Sequence, residues 1–369
     1  MHDLTVIGGG VIGLAVARHF QVAVGWQCLV VEREASCGLG ISSRNSEVLH
    51  AGFYYPPNSL KARLCVEGRE QLVAYLQAND LPLNMCGKYV VAETDATSEL
   101  ERLRRQGELN GVGNLEIIEA GWLQRRYPEL APLPALHSPG TGVLSADALV
   151  HLLAGEFQAA GGDLAVKTSF VGMTNTDNHY ELALEDSSGE RITVSSERVV
   201  NAAGLSALEI AQVAGFDYAE RGFELRYCQG SYFKVTGARG RFQQLIYPLP
   251  TANSLGIHIK LDLQQEVSLG PDARYLPELV EDYTVDPGLE AEFRRQVRPY
   301  WPAIDDYQLV ADWSGLRPHI FVDGEHQHDF HVLEEGPAGC PGWVNLLGID
   351  SPGLTAALAF GPYIAQLWD

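Results

Sequence analysis

Six residues near the N-terminus, Gly8-Gly9-Gly10-Val11-Ile12-Gly13, restrict the fold more than any other feature of the chain. They lie between an apolar run at 3–7 that reads as a buried strand and a stretch at 14–20 that continues as a helix. A second apolar strand, Cys28–Val31, ends at Glu32, 19 residues beyond Gly13. Strand, glycine turn, helix and acid-terminated strand together form a dinucleotide-binding arrangement. Gly8 permits the tight turn, Gly10 lets backbone approach a pyrophosphate, and Gly13 lets helix and strand pack closely. Val11 and Ile12 sit where a helix N-terminus offers amide donors to phosphate. Glu32 can accept both ribose hydroxyls and would repel a 2′-phosphate, which favours FAD or NAD over NADP. A glycine-rich turn without a ligand is the plainer alternative, and the flanking strands and Glu32 argue against it.

At 369 residues the chain has length for about two domains. Its net charge of −21 sets nucleic acid and anionic membrane surfaces against it as partners. A small anionic substrate can still be met by a local basic group. The six cysteines form no CxxC pair and read as reduced thiols of a cytoplasmic enzyme. Residues 4–17 imitate the core of a signal peptide, but Asp3 precedes them and four glycines interrupt them. No run reaches the roughly 18 apolar residues of a membrane span. No transmembrane segment is therefore expected, and the expected location is the cytoplasm, in solution or peripherally at a membrane.

Two further segments favour flavin over nicotinamide. Residues 198–204 read as a strand entering a small-residue turn, where Ala203 and Gly204 allow a second close backbone approach to the cofactor. Residues 344–349 form another buried strand, which runs into Asp350-Ser351-Pro352-Gly353-Leu354-Thr355 and an Ala-rich helix ending near Trp368. That second helix N-terminus suits negative charge developing at N1/O2 of a reduced flavin. Each segment alone also matches an ordinary α/β connection. With the opening turn they describe one FAD held by segments distant in sequence.

The stretch Ser42-Ser43-Arg44-Asn45-Ser46-Glu47-Val48-Leu49-His50-Ala51-Gly52-Phe53-Tyr54-Tyr55 resembles the signature of the D-amino-acid oxidase-like superfamily of FAD-dependent oxidoreductases. Within it, the chain is similar to the L-2-hydroxyglutarate dehydrogenase group. Residues 56–65, 86–89, 246–248, 256–258, 270–272, 315–318 and 348–355 fit that subgroup in a consistent order. Two positions depart: Arg44 and Glu47 stand where the family usually has a histidine beside the asparagine and a glycine after the serine. An acid at 47 either excludes an anionic substrate or moves its second carboxylate. The resemblance implies an α/β protein with a Rossmann-like FAD-binding domain (1–80, 141–215 and 335–369). Into it is inserted a mostly antiparallel β-sheet plus helices substrate domain (81–140 and 216–334). It also implies that Ser42, Ser43, Arg44, Asn45, Ser46 and His50 adjoin the flavin, with Arg33 and Phe170 completing the cofactor-binding set. Periodicity agrees, with helical patterns at 98–110 and 146–160, β patterns at 221–235 and 244–263, and loop and helix over 271–302.

Flavin chemistry needs a donor carbon over N5, an acceptor for the hydroxyl or amine proton, and a clamp on the substrate carboxylate. Arg317 is the first choice for the clamp, because its planar fork makes two charge-assisted hydrogen bonds. The alternative is a salt bridge to one of the many acids. His50 leads as general base, since an ordinary imidazole pKa of about 6.5 suits proton abstraction near neutrality. Otherwise it hydrogen-bonds or packs beside the flavin. His258 competes for the role. Strand alternation sets Ile257, Ile259 and Leu261 on one face and Gly256, His258 and Lys260 on the other. The second face is either the floor of a substrate pocket, with Lys260 meeting a distal carboxylate, or an outward polar surface. Tyr54, Tyr55 and Tyr247 are hydrogen-bond donors or aromatic packing. His319, Asp323, Glu325, His326, His328, Asp329 and His331 admit a metal reading. However, 322–325 looks like a hairpin turn whose arms need none, and no metal is expected. Cys37 admits a covalent flavin link.

The expected reaction is FAD-dependent oxidation of a small L-2-hydroxy acid, like L-2-hydroxyglutarate, to the 2-oxo acid, with hydride passing to flavin N5. An amino-acid or N-methyl amino-acid oxidase and a non-catalytic flavin-binding protein are the alternatives. The electron acceptor (oxygen, a quinone or a carrier) leaves no readable motif.

Overall fold

The computed structural model describes residues 1–176, 178–250 and 256–369. The chain forms two units, each assembled from separate stretches. The first comprises Met1–Asn45, Ala146–Tyr227 and Arg317–Asp369, the second Ser46–Ser145 and Cys228–Leu316.

A parallel sheet carries the first unit. His2–Ile7 pairs with Cys28–Val31 on one side and with Arg191–Asn201 on the other, and Asp163–Ala165 and Trp343–Leu347 extend the two edges. The registers align Val30, Val6, Val200 and Val344 in one row, all wholly buried. Burial on both faces is why these strands read as continuous apolar runs. The strand order reverses at His2–Ile7, because the chain first crosses to Cys28–Val31 and later returns to the opposite side. Ligands of open α/β sheets bind at the carboxyl ends of the strands at such a reversal. Thr168–Asn175 and Tyr180–Asp186 add an antiparallel extension. The helix Val11–Arg18 packs against both Ala146–Ala159 and the C-terminal helix Gly353–Trp368. Trp368 stacks on Trp26 at 5.9 Å, and the Arg198 guanidinium covers the Trp26 ring at 4.6 Å, anchoring the end of that last helix.

The second unit holds a mixed sheet. From Cys228 on, the strand Phe223–Thr236 is followed in space by Val267–Gly270, His258–Leu261, Leu245–Pro248, Lys88–Val91, Ala135–Ser138 and Glu116–Ile118. Every pair is antiparallel except Leu245–Pro248 with Lys88–Val91. Helices Leu60–Ala78, Thr97–Leu109 and Glu290–Val297 accompany the sheet, and Trp301, Phe233, Phe242 and Phe293 lie in its core. The β pattern expected over 244–263 is two paired strands, Leu245–Pro248 and His258–Leu261, joined in register at Ile246 and Ile259. Residues 251–255 of that pattern, Leu255 included, lie outside the described residues. Among the described residues no helix is long and apolar enough to cross a membrane.

Candidate active site

In the first unit, Gly8 has φ +108°, and a Cβ there would come within 2.5 Å of the Ala202 carbonyl oxygen. A Cβ on Gly13 would come within 2.0 Å of Gly8 O. Strand end, neighbouring turn and helix start thus meet backbone to backbone, which only glycine allows. Gly10 is the N-cap, brings no side chain to the first helical turn, and that turn contains no acid. Ser42 Oγ accepts from the Val11 amide at 2.9 Å, and Asn45 Nδ2 donates to the Ser42 carbonyl at 2.7 Å. The 42–45 segment is therefore pinned at a helix N-terminus, where amides and dipole favour an anion. Ser43 turns its hydroxyl to the Leu39 and Gly40 carbonyls, Arg44 is half-buried, and Ser46 opens the second unit.

Glu32 is buried at the end of its strand, where its carboxylate accepts from the Gly9 amide at 2.7 Å and the Glu34 amide at 2.8 Å. It braces the glycine turn as well as ending the strand, and its oxygens retain lone pairs for ribose hydroxyls. Arg33 Nη1 donates to Ser206 Oγ at 3.0 Å, beside the turn formed by Ala203 and Gly204. Asn201 Nδ2 donates to Asn345 Oδ1 at 2.9 Å, linking that turn to the strand that feeds the C-terminal loop. The Phe170 ring is buried edge-on to Trp343 at 6.0 Å in the apolar core. Half-buried Cys37 lacks the activation a covalent link needs. Burial, and then the Glu32 carboxylate, push its thiol up to about 11, so it is not a thiolate at neutral pH.

The loop through Asp350 and Ser351 leads into the 16-residue helix Gly353–Trp368, which has Pro352 as N-cap and no acid in its first turn. Pro352, Gly353 and Thr355 are buried, Leu354 is half-buried and Ser351 is exposed. A Cβ on Gly353 would stand 3.8 Å from Ile12 Cδ1, so this helix N-terminus adjoins the one at Gly10. Two adjacent, acid-free helix N-termini beside an acid-terminated strand fit a cofactor with a pyrophosphate and a second electron-rich end. Arg317 is half-buried in Gln308–Val322. Two residues along that strand, His319 Nε2 lies 3.5 Å from Asp350 Oδ2, tying the Arg317 strand to the C-terminal loop. His319 stacks on His326 at 4.3 Å, and Val322 pairs with Glu325 across a two-residue turn. Among the described residues, no group of three or more His, Cys, Asp or Glu is disposed to hold a metal.

In the second unit, Leu245 pairs with Lys88, and Ile246 pairs with Tyr89 and Ile259. Alternation then places Lys88, Tyr247, His258 and Lys260 on one sheet face. His258 stacks on Tyr247 with ring centroids 3.5 Å apart and planes at 12°, while Lys88 Nζ lies 3.9 Å from the Tyr247 centroid. Two groups that close cannot share one side of a ring, so imidazole and ammonium sandwich the phenol. Phe53 and Tyr54, on the loop that carries His50, approach the same ammonium at 5.8 and 5.1 Å. Lys260 Nζ lies 5.5 Å from the Trp313 ring, which stacks on Tyr232 at 3.9 Å. His258 and Lys260 are 5% and 7% exposed, so the alternative of an outward polar surface does not hold.

Burial, and then the Lys88 charge, hold the His50 imidazole well below its ordinary pKa, so it is neutral at pH 7. Burial also lowers Lys260, against the opposing pull of Glu47, Asp262 and Asp312. Burial lifts Tyr54 and Tyr247 well above the usual phenol range, so both keep their hydroxyl protons. Lys88 itself is lowered by burial to about 7. Sequence reasoning had not singled it out. The available signal was a lysine heading the apolar strand Lys-Tyr-Val-Val.

A parallel sheet with a glycine turn at its reversal point, an acid-ended second strand and two adjoining helix N-termini defines an α/β dinucleotide-binding protein of the flavoprotein kind. The chain belongs to the DAO family of FAD-dependent oxidoreductases, whose family model matches residues 3–367, and FAD is its cofactor. It is similar to the mitochondrial L-2-hydroxyglutarate dehydrogenase of Arabidopsis thaliana, 34% identical over 99% of this chain and 83% of that protein. The mouse enzyme of the same name is 32% identical over 72% of this chain and 60% of its own length. That of Escherichia coli K12 is 29% identical over 74% of this chain and 64% of its own length, so both alignments span less than two thirds of those relatives. In fold, the chain matches FAD-bound L-α-glycerophosphate oxidase from Mycoplasma pneumoniae with a TM-score of 0.83, at 20% identity over 100% of this chain and 94% of that one. Glycine oxidase from Geobacillus kaustophilus matches with a TM-score of 0.80, at 21% identity and the same coverage.

Proposed function

We propose that the protein oxidises a small L-2-hydroxy acid of the L-2-hydroxyglutarate type to its 2-oxo acid. The carrying observation is the buried sheet face on which His258 and Lys260 stand two residues apart. An alcohol must give up its hydroxyl proton as hydride leaves, whereas an amine substrate reacts from its unprotonated form. A buried imidazole kept neutral at His50 and a buried lysine at position 260 therefore suit a hydroxy acid with a second anionic group. The likeness to L-2-hydroxyglutarate dehydrogenases supports the same reading.

FAD, when bound, supplies the hydride acceptor. In this reading the first unit is the FAD-binding domain and the second the substrate domain. The amides at 10–13 and 352–355, with Ser42 and Glu32, hold the cofactor. Arg317 grips the carboxylate next to the reacting carbon. His50, kept neutral by burial and Lys88, takes the hydroxyl proton on a ring nitrogen, and the protonated Tyr247 hydroxyl is a donor to substrate oxygen. Lys260 meets the distal carboxylate. The six free cysteines support a reducing compartment such as the cytoplasm.

Anaerobic mixing of the yellow enzyme with L-2-hydroxyglutarate is expected to bleach the flavin, and the D isomer to leave it oxidised. Bleaching by glycine or N-methyl amino acids, with none by hydroxy acids, would transfer the site to amine oxidation. A flavin that no donor reduces would make the protein a non-catalytic binder.

A further inference from the structure

Lys88 is a lysine sealed among aromatic rings. Its side chain is 0% exposed, and Nζ has no hydrogen-bond partner among the described residues. Ring faces meet the charge instead: Tyr247 at 3.9 Å, Tyr54 at 5.1 Å and Phe53 at 5.8 Å. These rings come from two places. Tyr247 belongs to the strand Leu245–Pro248 and carries His258 on its other face. Phe53 and Tyr54 follow His50 on one loop, and Cys65 Sγ donates to the His50 carbonyl from the helix Leu60–Ala78 at 3.6 Å. The ammonium therefore joins the His50 loop to the His258 strand. It stands no more than about 7.4 Å from the His258 ring centre, the sum of its 3.9 Å and the imidazole's 3.5 Å separations from the phenol.

We propose that Lys88 is a positioning residue for the proton-accepting histidine: clamped between Tyr54 and Tyr247, its ammonium fixes the His50 loop against the sheet and sets a positive charge beside it. The assignment rests on His50 being the proton acceptor of the proposed hydroxy-acid oxidation. A second positive charge is strongly disfavoured beside a buried first one, because little solvent screens the pair. The other titratable groups facing this spot leave it that role. Cys65 and Arg69 come from the helix Leu60–Ala78, Cys86 precedes the Lys88 strand, and Tyr54, Tyr247 and His258 come from the elements already named. Burial pushes the Cys65 thiol up to about 12 and raises Cys86, Tyr54 and Tyr247, so the thiols and phenols are neutral at pH 7. Burial also brings Lys88 down to about 7, so its own charge is present on the acid side, where His50 would otherwise gain a proton.

The test uses flavin-loaded wild type, Lys88→Met, Lys88→Gln and Lys88→Arg, with flavin content measured for each. With ε1-13C-histidine label, the His50 ring signal (assigned with His50→Gln) is followed by NMR against pH. The expected result is a His50 midpoint raised by about one pH unit or more in the Met and Gln variants. Arginine, which keeps the charge, restores the wild-type midpoint. In anaerobic flavin reduction by L-2-hydroxyglutarate, the acid limb of the rate in the Met variant is expected to move up in pH together with the His50 midpoint, with KM little changed. A His50 midpoint unmoved in both Met and Gln variants that bind flavin normally overturns the role of Lys88. If wild type is reduced by no hydroxy acid, the proposed function fails, while the NMR arm still decides the influence of Lys88 on His50.

Discussion

Replacing Lys88 by methionine is expected to stabilise the protein, and to do so more in acid than in alkali. Burial lowers its pKa from the ordinary 10.5 to about 7, which means the folded state resists a proton that the unfolded chain holds readily. At about 1.4 kcal/mol per pH unit, that difference is worth about 5 kcal/mol as an upper bound. Methionine fills a similar volume, but it forfeits the cation–ring contact with Tyr247, about 1–2 kcal/mol. The net gain is then about 3 kcal/mol near pH 6. The sign follows from proton counts. Below pH 7 both states of wild type carry the proton, and the whole penalty is present. Between pH 7 and 10.5 only the unfolded state holds it, so wild-type stability climbs with pH and the advantage of the variant shrinks by about 1.4 kcal/mol per unit. Urea unfolding of the flavin-saturated proteins at pH 6, 7.5 and 9 reads this directly. Trp301, wholly buried in the core of the second unit, is among the tryptophans that report fluorescence. A methionine variant less stable than wild type at pH 6, or an advantage that does not change with pH, refutes the account. A residue whose removal stabilises the fold while slowing the reaction is retained for chemistry.

Gly8→Ala puts a methyl group 2.5 Å from Ala202 O at φ +108°, so the variant is expected to lose most bound flavin and at least about 2 kcal/mol of stability; flavin-to-protein ratio and melting temperature check this. Arg317→Lys keeps the charge but loses the fork, and kcat/KM for L-2-hydroxyglutarate is expected to fall by about 100-fold, measured in steady state with an artificial electron acceptor. Cys37→Ser is expected to leave flavin content unchanged, because the thiol, pushed up to about 11, forms no link; acid precipitation of wild type releases all flavin into the supernatant.

The glycine turn was legible because its constraints are local: φ at Gly8 and the Gly8–Gly13 approach depend on residues within one strand-turn-helix. The bracing role of Glu32 was not, because the Gly9 amide it accepts from lies 23 residues away in sequence, and the distance is set by the strand register. For His258 and Lys260, alternation supplied the shared face, but period 2 is the same for a buried face and a wet one. What decides between them is the matter packed over the sheet, which no strand records in its own letters. The packing of Phe170 was hidden for the same reason, since its ring faces Trp343, a residue far along the chain. Lys88 is the extreme case. Lysine at a strand start, after Gly87, reads as an ordinary solvent-facing charge, and the apolar Tyr-Val-Val that follows it is a weak signal against that. Its burial is decided by Phe53, Tyr54 and Tyr247, brought in from two other segments. A charge's energy belongs to its surroundings, so sequence locates the titratable groups, and packing decides which of them carry a proton at neutral pH.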